Sequence, residues 1–364
     1  MGSVAQLHAV LHPILLEELT GVVSKKLIRN TSLLVSAMLE CQTANTMELA
    51  NALPMPDIKK EARCQIVWRY LKNENVNCEV IISPAAKNVL HIIHCSGEPI
   101  ILSMDQTEVS SRYAILMIAV KFGNRALPIA WHVEIGEANI GYKHQEMLLE
   151  RVKKLLPENG QVLFSADRFY PSSNIIKWLH SSEWSYRIRL KKNSLVEKNG
   201  VKSKAGDLLK DTKEHYFTEV SLFGSKVKTN IGILHEKDHP EAWIIAMNAI
   251  PSKETVLEYS GRWCIEPMFS DFKSRGFGLE DSQLSKPDRA ERLILIMALG
   301  MYWCVSAGLE DALNNPTYEE KKQMKRRIFQ SGFWQNIIEA IAPGSLEDCE
   351  KLKQHYSAMT LQYH

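Results

Sequence analysis

The sequence predicts a mixed α/β fold with helical regions at both ends, and three observations favour it. Residues 1 to about 75 alternate short apolar helical patterns with Thr, Asn and Pro breaks. β-rich runs begin near residue 89, and helix and strand patterns then alternate to about residue 193. A three-stranded meander followed by helix, strand, helix and strand is typical of a mixed sheet covered by helices.

The N-terminal segment contains predicted helices in SLLVSAMLECQ, TANTMELANALPM and PDIKKEARCQIVWRYLKN. The second and third together resemble a helix-turn-helix pair, although any small helical bundle fits the same pattern. The third carries the cations Lys59, Lys60, Arg63 and Arg69, so this segment is a candidate DNA contact.

The meander is predicted by NVLHIIHC, EPIILSMDQTEV and RYAILMIAVKFGNRALPIAWHVEI, with FGNRA as a hairpin-like break. A helix in GYKHQEMLLERVKKLLPENG, a strand in QVLFSAD, a helix in PSSNIIKWLHSS and a strand in WSYRIRLKKN follow. His91 and His94 are three residues apart on the first expected strand and therefore on opposite faces. That placement favours core or edge histidines over a metal-binding pair.

Five regions are predicted. They are an N-terminal helical domain (1–90), a core in two parts (91–193 and 250–310), a β-rich insertion between them (194–249) and a C-terminal helical region (311–364). The stretch LILIMALGMYWCVSAGL, residues 293–309, has no charged residue and is at the short limit for a membrane span. A buried core helix is favoured, because no second span and no charge-biased loops accompany it.

Composition and cysteine spacing indicate the class of protein. With 45% hydrophobic and 24% charged residues in 364, the chain is typical of a soluble globular protein. A net charge of +2 means that a nucleic-acid partner requires local basic patches. The seven cysteines include no C-x-x-C pair, which indicates neither a zinc site nor a disulfide framework and favours a reducing cytosol. No signal peptide pattern is visible.

The stretch YSGRWCIEPMFSDFKSRG contains Tyr259, Arg262, Glu266 and Lys273, which follow one another at successive intervals of three, four and seven residues. These intervals suggest a common helix face. On a regular α-helix all four lie within roughly 60° of one another. The opposite side is apolar and is expected to face the core, through Ile265, Met268, Phe269 and Phe272. A solvated face with an Arg–Glu pair is the alternative interpretation.

Two aspartates, Asp105 and Asp167, end or interrupt apolar strands. Either one alone is explained as a turn residue or a helix cap. In a sheet of this order, however, the first and fourth strands are commonly neighbours, which would bring the two carboxylates to one cleft. With Glu266 as a third oxygen ligand, they would suit two Mg²⁺ or Mn²⁺ ions that act on a phosphodiester. Tyr259, Arg262 and Lys273 would then hold a phosphate backbone.

At these residues the sequence resembles DDE transposases of the insertion-sequence-4 type. Tyr259, Arg262, Glu266 and Lys273 match the family's Tyr-Arg-Glu-Lys signature at every spacing. The likeness also covers MDQT, SADRF, AWIIAMNAIP and the segment SRGFGLEDSQLSKPDRAERLILIMALGMYW, and it spans most of residues 25–310. It implies an RNase H-like core with a β-rich insertion, an N-terminal helical domain that binds transposon ends, and cut-and-paste transposition through a DNA hairpin.

The resemblance also implies roles for individual residues. Asp105, Asp167 and Glu266 would be catalytic ligands of two Mg²⁺ ions, for which Mn²⁺ can substitute. Trp243 matches an insertion-domain Trp that receives a flipped base, whereas a core aromatic is the structural alternative. The candidate DNA contacts are Tyr259, Arg262, Lys273, Trp243, Arg168, Arg189, Lys59, Lys60 and Arg63. The expected partners are double-stranded DNA and a second copy of the chain, in a prokaryotic cytoplasm at the nucleoid, with no membrane.

Two departures from the family pattern concern the helix of Glu266. Ser270 stands where some relatives have a second basic residue, and Pro267 removes a backbone donor at a cost of about 3 kcal/mol inside a helix. Two alternative functions are a transposase-derived DNA-binding protein and an RNase H-fold nuclease. The three carboxylates argue against the first, while the N-terminal helices and the insertion argue against the second.

Overall fold

The structure, a computed structural model, describes residues 3–122, 125–209, 213–224, 227–235 and 241–314, with backbone only for 309–314. The expected C-terminal helical region therefore falls outside it from residue 315 onward. The N-terminal part is helical, as predicted: α1 (Ser3–Leu19), α2 (Lys25–Cys41), α3 (Thr46–Ala52), α4 (Lys60–Lys72) and α5 (Cys78–Ser96). The side chains of Ser24, Asn45 and Asn77 cap α2, α3 and α5 by accepting first-turn N–H bonds.

Helix α5 corrects the prediction that strands begin near residue 89. Asn77 starts this helix, and Gly97, in the left-handed conformation, ends it. Its apolar residues recur with helical period and are buried, including Ile82, Val89 and Ile93. The expected strand at His91 and His94 is therefore wrong: these histidines lie one turn apart on a helix, not on opposite faces of a strand.

The connection between α3 and α4 does not match a helix-turn-helix. Residues 53–59 separate the two helices, whereas the motif uses a turn of three or four residues. The structure favours the bundle interpretation of this segment. Helix α4 nevertheless begins at two exposed lysines, Lys59 and Lys60, and no side chain caps it.

Ten strands form one sheet within the described residues, in the order β3-β2-β1-β4-β5-β10-β9-β8-β6-β7. The strands are β1 (Ile100–Val109), β2 (Tyr113–Phe122), β3 (Arg125–Ile135), β4 (Val162–Ala166), β5 (Ser185–Arg189), β6 (Leu195–Lys198), β7 (Val201–Lys204), β8 (Glu214–Leu222), β9 (Lys228–Leu234) and β10 (Trp243–Met247). The meander β1–β3 is antiparallel, while β1, β4 and β5 are parallel. The predicted mixed α/β fold is confirmed, and the insertion strands continue the core sheet through the pairing of β10 with β5.

Five further helices complete the described chain: α6 (Tyr142–Lys153), α7 (Ser173–Ser181), α8 (Lys253–Leu257), α9 (Ile265–Ser270) and α10 (Pro287–Asn314). Helix α10 contains the apolar stretch noted above and packs against β3, α2 and α5. Its segment Pro287–Gly308 is long and apolar enough to cross a membrane, but most of it is buried inside the protein. It is therefore the core helix that the sequence favoured.

Gly232 on β9 fixes the position of α8, the helix that leads into the signature segment. A Cβ atom at Gly232 would lie 2.3 Å from Cγ2 of Val256 on α8 and 3.2 Å from Cε of Met247. Val256 is fully buried, so it has little room to move. Only a residue without a side chain allows α8 to pack this closely on the sheet.

We predict that Gly232→Ala lowers the free energy of unfolding by about 1–3 kcal/mol, because the added methyl group overpacks this contact. Chemical denaturation measures the effect. Gly261→Ala is the matched control, since its added Cβ would meet Cγ2 of Ile101 at an ordinary 3.5 Å. Equal stability of the two variants would contradict the account of this contact.

Candidate active site

The signature segment is helical but irregular. Residues Glu258–Cys264 form a 3₁₀-helix, α9 follows, and Asp271–Arg275 form a π-helical turn. The prediction of one regular α-helix, with 100° between residues throughout, is therefore wrong. The prediction of its apolar side is confirmed, because Ile265, Met268, Phe269 and Phe272 are all buried.

The change of helix type explains how Pro267 is accommodated. Helix α9 starts at Ile265, which places Pro267 in its first turn. The 3₁₀ segment runs directly into α9, because Cys264 and Ile265 both have right-handed helical angles. Pro267 therefore lacks its donor close to the junction of two helix types and not inside a long regular α-helix.

The two aspartates lie side by side on neighbouring parallel strands, with Asp105 inside β1 and Asp167 directly after β4. Strands β1 and β4 pair in parallel up to Met104 and Ala166, and Asp105 and Asp167 are the next residue of each strand path. The expected proximity of the first and fourth strands is thus confirmed. Because their register is in step, both side chains lie on the same face of the sheet, at the point where the pairing of β1 with β4 ends.

Arg262 links the signature segment to Asp105 on β1. Its Nη1 donates to Oδ2 of Asp105 at 2.8 Å, and its Nη2 donates to Oε1 of Glu266 at 2.7 Å. Arg262 is only 6% exposed, so the guanidinium is a buried bridge between the two carboxylates. The 3₁₀ segment and α9 together give Arg262 and Glu266 the separation that this bridge requires.

Two buried tyrosines complete the network. The hydroxyl of Tyr259 accepts a bond from Nε of Arg262 at 3.1 Å and donates to Oδ1 of Asp167 at 3.3 Å. The hydroxyl of Tyr170 donates to Oδ1 of Asp105 at 3.4 Å. Tyr170 was not singled out from the sequence, although its position three residues after Asp167 was a usable signal. Asp105, Asp167, Tyr259, Arg262 and Glu266 therefore form one connected cluster.

The electrostatics of this cluster favour an added cation. Burial raises the pKa of the Asp105 carboxyl, Arg262 and the Gln106 amide oppose that effect, and Asp167 and Glu266 raise the pKa further. Three carboxylates face one guanidinium, so the charges of these four groups leave a net negative site. Carboxylate oxygens are the ligands that Mg²⁺ and Mn²⁺ prefer, and the donor set fits such ions.

Trp243 lies next to the cluster but is buried. It is the first residue of β10. Its ring contacts Tyr259 and Trp263 edge-on, with centroid distances of 5.5 and 5.4 Å. Trp243 is 5% exposed and Trp263 is 39% exposed, so Trp263 is the accessible aromatic of the pair.

A basic cavity of about 310 Å³ opens beside Asp167. Arg168 and Arg189 both bind Oε2 of Glu241 there, at 3.1 and 3.3 Å. Phe169 is exposed, and Nζ of Lys191 lies 4.2 Å from its ring centroid. Sequence reasoning identified the two arginines but missed Phe169, Lys191 and Glu241, which line the same cavity.

The remaining candidate DNA contacts are dispersed. Lys273 is half-buried in the π-helical turn, and Lys59 and Lys60 are exposed at the start of α4. Arg63 donates from Nη1 to the main-chain oxygen of Asn51 at 3.1 Å, and so ties α4 to α3.

A strand order of this kind, with carboxylates side by side on adjacent parallel strands, is that of an RNase H-like core. Residues 135–304 match the family model of the transposase DDE domain, which implies the same core. The match contains Asp167 and Glu266 and begins after Asp105. It supports a DDE transposase, an enzyme class that transfers phosphoryl groups of DNA. No curated protein matches the chain.

We predict that Arg262→Met destabilises the protein by about 3 kcal/mol at neutral pH, because Asp105 loses the cation that compensates its burial. Loss of Arg262 raises the pKa of Asp105 further. A carboxyl group with a raised pKa destabilises the folded state only when ionised, so the deficit should shrink as pH falls through that pKa. Denaturant unfolding at neutral and acidic pH measures it.

The double variant Arg262→Met/Asp105→Asn is the control, because it removes the buried charge together with its partner. It should recover much of the lost stability at neutral pH. A deficit that is independent of pH and unchanged in the double variant would mean that Arg262 stabilises the fold by packing alone.

Proposed function

We propose that the chain is a DNA transposase of the insertion-sequence-4 type, which binds transposon ends, cleaves them and transfers the strands to target DNA. The observation that carries the proposal is the single network that joins Asp105, Asp167 and Glu266 through Arg262 and Tyr259. These are the residues to which the transposase signature gives catalytic and DNA-contact roles. A structural ion pair alone would not require three carboxylates around one buried arginine.

Asp105, Asp167 and Glu266 would hold the divalent ions, with Mg²⁺ as the expected metal and Mn²⁺ as a substitute. A bound pair of such ions activates the attacking oxygen and stabilises the leaving oxygen of the phosphodiester. Arg262 orients the Asp105 and Glu266 carboxylates, and its charge opposes the effect of burial on the pKa of Asp105. Tyr259 performs the same orienting task for Asp167, and burial raises its pKa, so its hydroxyl remains a donor.

The basic cavity beside Asp167 supports DNA as the substrate. Arg168, Arg189 and Lys191 offer phosphate contacts, while the exposed ring of Phe169 offers a stacking surface for an unpaired base. Glu241 holds both arginines in place and would exchange for a phosphate group. Lys273, seven residues after Glu266 in the signature, is proposed as a further phosphate contact.

The N-terminal helices are proposed to bind the transposon ends. Lys59 and Lys60 stand at the positive end of the α4 dipole, an unfavourable place for a cation unless an anion is bound nearby. A DNA phosphate at this helix start would satisfy the lysines and the uncapped N–H groups together. The end complex would contain two copies of the chain, one for each end, and act in a prokaryotic cytoplasm at the nucleoid.

Cleavage of both strands by one site leads to the hairpin intermediate. A freed 3′-hydroxyl that attacks the opposite strand makes a tight turn, and extruding one base relieves the strain. Trp243 is the proposed stacking partner of that base. Since Trp263 covers it at 5.4 Å, stacking on Trp243 would require Trp263 to turn aside.

We predict that Asp105→Ala, Asp167→Ala and Glu266→Ala each lower strand cleavage in Mg²⁺ by more than about a hundredfold, since metal ligation supplies several kcal/mol of transition-state stabilisation. Binding to transposon ends should persist, because phosphate contacts supply most of the affinity. Cleavage and gel-shift assays on DNA with the inverted repeats that flank the gene measure both quantities.

The isosteric variants Asp105→Asn, Asp167→Asn and Glu266→Gln separate loss of metal ligation from loss of folding, and Glu158→Ala, at an exposed carboxylate, is the matched control. Lys59→Ala/Lys60→Ala should show the opposite pattern: weaker binding, with a salt slope reduced by about two. Substantial cleavage by any isosteric variant would remove that residue from the site.

We predict that Trp243→Ala leaves the first nick nearly normal and slows hairpin formation or opening, since stacking contributes about 1–3 kcal/mol per base. Denaturing gels that resolve nicked, hairpin and opened ends, run beside a melting curve, measure this. Trp263→Ala is the matched variant, because it uncovers the ring of Trp243.

A purely structural Trp243 gives a different result. Truncation of a core aromatic costs about 3–5 kcal/mol and would depress every step together. The base-stacking role would be contradicted if Trp243→Ala slowed nicking, hairpin formation and hairpin opening equally and lowered the melting temperature strongly, while Trp263→Ala changed none of these quantities.

A further inference from the structure

A cluster of nitrogen and oxygen donors lies on β3 and α6, outside the carboxylate site. His132 and Glu134 are two residues apart on β3 and so share one face of the strand. His144 stands in the first turn of α6. Oε1 of Glu134 lies 2.6 Å from Nδ1 of His144 and 3.3 Å from Nε2 of His132, and one donor atom from each residue fits within 4.8 Å of the others.

A fourth residue from another element supports the cluster. Oε1 of Glu291 on α10 lies 3.2 Å from Nδ1 of His132 and accepts the main-chain N–H of Val133 at 3.1 Å. Glu291 thus orients His132 so that Nε2 points toward Glu134. In metal sites, a ligating histidine almost always gives its other ring nitrogen to a carboxylate or carbonyl in this manner.

The donor set is that of zinc. Two imidazoles with one carboxylate is a protein ligand set that Zn²⁺ takes with a fourth position left for water. Mg²⁺ prefers oxygen ligands alone, so the two kinds of site would select different ions. The side chains are 21–35% exposed, which gives an ion access from solvent. We propose that His132, Glu134 and His144 form a zinc site distinct from the carboxylate cluster.

The proposed zinc site lies at the two ends of a loop that contacts the residue after Asp105. Glu134 and His144 flank the loop of residues 136–141. The side chain of Gln106, the residue after Asp105, accepts the N–H of Ile140 at 2.9 Å and donates to the oxygen of Ala138 at 3.2 Å. An ion that fixes both ends of this loop would steady the backbone beside Asp105, so the zinc ligands would be positioning residues and not catalytic ones.

The test measures zinc, and its readout does not depend on transposition. The purified full-length chain is stripped with a chelator, dialysed against Zn²⁺ and analysed for bound metal. Co²⁺ then reports the coordination geometry by its absorption spectrum.

Wild type, Asp105→Asn and the exposed-histidine control His235→Gln should each retain one equivalent of zinc. His144→Gln and Glu134→Gln should bind it more than about tenfold more weakly, and Glu291→Gln about 10–100-fold more weakly.

Melting curves guard against misfolded variants. The metal-free melting temperatures of His144→Gln and Glu134→Gln should be close to that of wild type, while added zinc should raise only those of wild type, Asp105→Asn and His235→Gln. Zinc binding that survives in both ligand variants, or that is lost in Asp105→Asn, would overturn the proposal. Absence of zinc from the wild type would equally overturn it and leave a hydrogen-bonded cluster only.

Discussion

The buried guanidinium of Arg262 is the interaction on which the candidate active site depends. It binds Asp105 from the sheet and Glu266 from α9, and Tyr259 extends its contacts to Asp167. A buried charge is stable only when its donors are satisfied, so the elements that carry these groups must meet in one arrangement. The parallel register of β1 and β4, the 3₁₀ segment and the close packing of α8 on Gly232 all serve that arrangement.

The charged groups of this cluster lower the stability of the folded state locally, and the burial of apolar residues in the rest of the fold compensates for this loss. Burial raises the pKa of Asp105, and the neighbouring carboxylates of Asp167 and Glu266 raise it further, so a charge on Asp105 costs free energy. The site stands on the central strands of a sheet whose core strands are buried almost throughout, and α10 buries a long apolar face against β3 and the N-terminal helices. A closely packed scaffold around a charged cluster is the arrangement by which an active site holds its groups in place.

Much of the fold followed from the sequence, because strand and helix periodicity reflects burial directly. The order of elements predicted that β1 and β4 are neighbours, and the spacing of Tyr259, Arg262 and Glu266 predicted a shared site. Local patterns could not predict what tertiary contacts decide: the 3₁₀ and π turns, the helical state of His91 and His94, and the meeting of His132, Glu134 and His144. Cysteine spacing gave no information on that last cluster, because its donors are histidines and a glutamate brought together by β3 and α6.

Localised oxidative cleavage tests the central claim most directly, namely that three carboxylates distant in sequence form one metal site. Fe²⁺ replaces Mg²⁺, and peroxide with ascorbate then cuts the polypeptide beside the bound ion. The account predicts cuts near Asp105, Asp167 and Glu266 that disappear together with excess Mg²⁺ and in Asp105→Asn. Mg²⁺-sensitive cuts near only one of the three, or Mg²⁺-sensitive cuts that persist in Asp105→Asn, would contradict it.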